Sequence, residues 1–197
     1  MDKLGQLVPL VVPWSVAPST PYLQLCADEE CKAFVTFIGF FAFYEGDNQI
    51  DPKDIGPDGR LLPSAGTTNV DPHKTDGRYQ QVRVDFTSVY CACLSAPMSS
   101  KKIFDTDLYE LSPVLGQGQK QSSKDYLDWY NGLWHSTREC PDPSAYEVIE
   151  SSWLKEKRFA GARGGLCHYV IVGEDAYVEV AARGWSWKSE GTIVGPW

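Results

Sequence analysis

Positive charge is what this chain is short of. Lys and Arg number 18 against 26 Asp and Glu, a formal net charge of −8. Proteins that grip a phosphate backbone need a net basic face to displace counterions, so nucleic acid is not an expected partner. A long apolar run is missing too. The longest, Ala33 to Tyr44 (AFVTFIGFFAFY), falls well below the roughly 20 residues that span a bilayer, and no membrane anchor is expected. Met1 to Ser19 lacks the unbroken apolar core of a secretory signal, because Asp2 occupies the would-be basic region and Pro9 and Pro13 interrupt the patch. The expected location is therefore the cytoplasm, and the expected state of the cysteines is reduced.

Catalytic signatures are equally scarce. No G-x-S-x-G, H-E-x-x-H or H-x-E…C-x-x-C pattern occurs, and no internal repeat is visible. The acidic stretch from Glu45 to Arg78 lacks the D-x-D-x-D-G spacing of an EF-hand. Cys91-x-Cys93 and Cys26-x4-Cys31 are not the paired C-x2-C of a structural zinc site. The glycines from Gly161 to Gly165 precede a strand rather than a helix, which suits a connector better than a phosphate cradle. No metal and no cofactor are expected.

What is present is an ordinary globular composition, 43% hydrophobic and 22% charged over 197 residues, which predicts a single domain spanning 1–197. At this length folding buries roughly 70% of the surface the extended chain would expose, enough for a core without metals or disulfides. The pattern predicts an α+β fold, mainly antiparallel β-sheet, either open or partly closed as a barrel, with one or two packed helices. Tyr22 to Cys26 and Cys31 to Tyr44 form a predicted hairpin with an acidic tip at Asp28, Glu29 and Glu30. Gly39, in the middle of the second strand, suggests a bulge or bend.

A long irregular loop follows at about 45–78. In the strand region after it, the apolar parity switches near Thr87 and Ser88, which implies a bulge or entry into a fully buried zone. A short strand is predicted over 108–111. Ser123 is positioned to cap a helix whose apolar stripe is Tyr126, Leu127, Tyr130, Leu133 and Trp134. A strand over 146–150 and a short helix over 153–158 follow.

The sharpest local signal is the hairpin from His168 to Ala181, with Gly173 to Ala176 as its turn. Pairing Val172 with Tyr177 puts Tyr169, Ile171, Val178 and Val180 on one apolar face. The other face carries His168, Val170, Tyr177, Glu179 and Ala181, with His168 and Glu179 as diagonal neighbours. A carboxylate that close fixes an imidazole's tautomer, as a general base requires, so these two are the candidate catalytic residues. Cys167 points away from His168 and cannot serve it as a nucleophile. His135 could meet Cys93 or Cys140 only across the fold.

Two functional classes follow. The leading expectation is a non-catalytic acidic protein-binding module, such as a cytosolic inhibitor, immunity-type or accessory protein with a basic protein partner. Asp28, Glu29 and Glu30 would steer that partner, and Trp185 and Trp187, on one face if extended, would hold it. The alternative is a small-molecule-binding protein or enzyme with a pocket around His168 and Glu179 and the 45–78 loop as its lid.

Overall fold

The alternation Val82, Val84, Phe86 against Gln81, Arg83, Asp85 makes one side of a strand apolar, and that side must find cover. In this computed structural model it finds it in a second sheet. The structure describes residues 3–17, 23–28, 30, 32–42, 78–95, 104–120, 122–156, 159 and 164–192. The predicted loop at 45–78 lies almost wholly outside the described residues, as do Glu29 and Cys31.

The strands are β1 (Gln6–Pro9), β2 (Trp14–Val16), β3 (Gln24–Ala27), β4 (Ala33–Phe41), β5 (Tyr79–Thr87), β6 (Cys91–Ser95), β7 (Glu110–Leu111), β8 (Ala145–Ile149), β9 (Cys167–Val172), β10 (Tyr177–Ala182) and β11 (Gly184–Thr192). Helices α1 (Pro113–Gln119) and α2 (Ser123–Thr137) stand between β7 and β8. One sheet runs β6-β10-β9-β8-β1-β7, and the other runs β11-β5-β4-β2 with β3 also paired to β4. All described pairings are antiparallel except β1 with β7. The fold is α+β as expected. Neither sheet closes on itself, so the barrel option is corrected to two open, stacked sheets.

The main core lies between the sheets. Trp14, Val35, Phe37, Val82, Val84 and Phe86 meet Tyr169, Ile171, Val178 and Val180, all at most 3% exposed. A second cluster, with Leu7, Tyr109, Leu115, Tyr146, Val148 and Val170, covers the outer face of the six-stranded sheet. No helix among the described residues is long and apolar enough to cross a membrane.

Several local expectations need correction. Gly39 sits in unbroken register opposite Gln80 and Val16, with no bulge. Its reason is space, since a Cβ there would stand 2.5 Å from Val82 Cγ2. The parity switch after Phe86 is the chain leaving one sheet for the other, with Ser88 at φ 52 between β5 and β6. The cap of α2 is Ser122, whose Oγ accepts from the Asp125 amide at 3.4 Å. Leu127 is 57% exposed, because the buried stripe is turned toward Trp129 instead. The helical turn after β8 is a 3-10 turn at Trp153–Lys155.

Candidate functional site

The β9–β10 hairpin has the predicted register, with Tyr177 opposite Val172, Glu179 opposite Val170 and Ala181 opposite His168. Its apolar face is core, and its other face holds His168 and Glu179 as diagonal neighbours, with Nε2 and Oε1 3.3 Å apart. The surroundings differ from an open face. His168 is only 2% exposed, and the Trp153 ring lies over it at 4.6 Å between centroids. Phe159 packs on Trp153 at 5.1 Å, and Tyr90 packs on Phe159 at 5.4 Å, continuing the cover outward.

A third group joins the pair. Ser151, 4% exposed, places Oγ 2.8 Å from His168 Nδ1. The same oxygen accepts the Leu154 amide at 3.4 Å. The other ring nitrogen, Nε2, faces Glu179. That approach is electrostatic rather than an aligned hydrogen bond, because Nε2 finds no acceptor in line. Ser, His and Glu in series look like a nucleophile relay, but each is turned inward. Nδ1 faces Ser151 and Nε2 faces Glu179, so both ring nitrogens are turned to neighbouring side chains. Sequence reasoning missed Ser151 because it stands 17 residues from His168 in the chain and only the β8–β9 pairing brings it close.

The cysteines fall as follows. Cys167 packs against the main core, on the face opposite His168. Cys140 is held by the Tyr130 hydroxyl at 3.1 Å, and its burial pushes the thiol up to about 12. Cys91 and Cys93 share a face with their sulfurs 3.7 Å apart. Among the described residues no three His, Cys, Asp or Glu side chains gather around a metal-sized space.

The binding candidates divide. Asp28 Oδ1 accepts the amides of Glu30 and Lys32, both at 3.0 Å, so this carboxylate shapes its own turn. Glu30 pairs with Lys32 in the open, leaving the tip acidic on balance. Trp185 and Trp187 do share a face of β11, but it is the inner one. Trp187 meets Trp14 at 6.1 Å and Phe41 at 6.2 Å, and Trp185 lies opposite Phe86. These rings belong first to the rim of the core.

A different surface emerges from the strand order. Protein edges are normally blunted by charge, shortness or bulges. β11 carries Lys188 and Glu190 and a register shift between Ser189 and Gly191. β7 and β2 are two and three residues long. β6, Cys-Ala-Cys-Leu-Ser, has none of these guards, and no described strand pairs with its outer edge. Tyr90 and Leu94 beside that edge are 51% and 49% exposed.

Uncharged β3 passes close to β6 without pairing. At one end of this flank Leu23 rests against Gly173 in the β9–β10 turn, beside exposed Glu174 and Asp175. At the other end of β3 stands the acidic tip with Asp28 and Glu30. Among the described residues, β6 is thus an uncharged edge strand with acidic groups at both ends. Comparison with protein-family models, curated proteins and solved structures finds no match for this chain.

Proposed function

We propose that the protein is a non-catalytic binding module that takes an extended segment of a basic protein partner along β6. The observation that carries this reading is that β6 is the longest described edge strand with neither charge nor bulge, one residue longer than uncharged β3. A strand added to such an edge gains main-chain hydrogen bonds, while Tyr90 and Leu94 offer apolar contact to alternate side chains. The acidic ends of the flank, together with the net charge of −8, favour a basic segment and speed its encounter. An inhibitor, immunity-type or accessory role in the cytoplasm is the form of this reading that the acidic, motif-poor sequence suggests. The packing of Trp153 over His168 weighs against the catalytic alternative.

Peptide-display selection against the immobilised protein tests the reading. Selected peptides should be basic, should alternate apolar and polar residues, and should slow amide exchange across Cys91–Ser95. Peptides that bind while leaving those amides unprotected would overturn it.

A further inference from the structure

At the edge of the six-stranded sheet opposite β6, the sequence brings aromatic rings and one carboxylate together between two helices. Gly118 of α1 makes this possible, because a Cβ there would stand 2.7 Å from Trp129 Cζ3 and 3.0 Å from Tyr126 Cε2. Without it α2 lays both rings against α1. Between the helices and the sheet lies a cavity of about 60 Å³, whose lining includes Thr106, Gln119, Tyr126, Trp129, Asp142 and Tyr146.

We propose that this cavity binds a primary alkylammonium group, either a small free amine or the head of a lysine side chain. The sign of the ligand follows from the lining. Aromatic faces carry negative quadrupole charge and favour cations, and the described lining residues include no Lys or Arg. Asp142 is partly buried, and its Oδ1 accepts the Tyr146 hydroxyl at 2.5 Å. A carboxylate has room for about four hydrogen bonds, and the Tyr146 hydroxyl and Ser144 amide account for two.

The class of cation follows from donors and size. Asp142, Thr106 and Gln119 supply three oxygen-bearing side chains for the three N–H donors of an ammonium. The volume is about four times the roughly 15 Å³ that holds one water, which admits a few heavy atoms and not a bulky quaternary head. The site is independent of strand capture at β6 and stands or falls separately.

Amide and indole NMR shifts of the full chain should be followed during titration with methylammonium chloride, with N-acetyl-lysinamide, and with tetramethylammonium chloride at matched ionic strength. Methylammonium should move the Trp129 indole and the Thr106 and Gln119 amides saturably, with a dissociation constant on the order of 10 mM, near the limit for two heavy atoms. Binding of N-acetyl-lysinamide as well identifies a lysine head as the ligand, and binding of methylammonium alone identifies a free amine. Asp142→Asn should weaken the response at least about tenfold, the loss expected when a charged partner becomes neutral. Gln119→Ala, on the helix surface, serves if the first variant does not fold and should weaken it by a smaller factor. Shifts that do not saturate, that tetramethylammonium reproduces, or that neither variant changes would overturn the proposal.

Discussion

Ser151 Oγ stands 2.8 Å from His168 Nδ1 and also accepts the Leu154 amide, so one hydroxyl ties β9 to the turn that lays Trp153 over the sheet. This contact gives the buried histidine a part in holding that turn, whatever else it does. Ser151→Ala leaves a buried ring nitrogen without its partner and should cost about 1–3 kcal/mol in urea unfolding. The native serine should resist a fluorophosphonate probe, since only 4% of its surface is exposed. Unchanged stability would show that the contact does not hold the turn, and a covalent adduct at Ser151 would favour the catalytic alternative.

Leu94→Lys places on β6 the kind of charge that guards other protein edges. Affinity for a selected basic peptide should fall by roughly tenfold or more, while folding stability should stay within about 0.5 kcal/mol, as for most surface changes. Reversing Glu29 and Glu30 to Lys should slow association and flatten its salt dependence, leaving main-chain capture in place. Surface plasmon resonance over a salt series reads both effects. Equal affinity for the Leu94 variant would move the contact surface away from β6.

The Asp142 carboxyl is pushed above its ordinary 3.8, chiefly by burial, with the Tyr146 hydroxyl and Ser144 amide pulling the other way. The folded state therefore keeps this proton at pH values where the unfolded chain has released it. Stability from the group is fully present below the ordinary value and is lost as pH rises through the raised one. Compared with the wild type, Asp142→Asn should show a flatter stability profile from about pH 4 upward. Parallel profiles from urea unfolding at a series of pH values would show that Asp142 is not the group titrating there.

Alkylation should separate two thiols. Cys140 is buried, bonded to the Tyr130 hydroxyl and pushed up to about 12, whereas Cys26 is exposed. Only the thiolate attacks, so iodoacetamide at pH 8 should label Cys26 well before Cys140. Cys140 should react no faster than the chain unfolds. Peptide mass mapping over time decides this, and equal rates would contradict the packing around Tyr130.

The hairpin at His168–Ala181 was legible down to its register, because a period of two and a four-residue turn leave little choice once one face must be buried. The α2 helix was legible from its stripe, although the stripe's exact rotation was not. The cover over His168 was invisible, since Ser151, Trp153 and Phe159 lie on a connection whose path depends on where β8 ends. The Asp142 cavity was hidden for a similar reason. Its lining comes from Leu7 and from stretches 106–119, 126–129 and 142–146, far apart in the chain.

Sequence alone therefore determined the local elements, their apolar faces, the sign of the net charge and the pairing of His168 with Glu179, all properties of nearest neighbours and strand parity. Tertiary structure decided which sheet each strand joined, why Gly39 cannot carry a side chain, that the histidine is closed over, and that β6 ends a sheet unguarded. Those outcomes rest on contacts between residues far apart in the chain, and no local pattern of hydrophobicity encodes which distant strand will arrive to fill a given face.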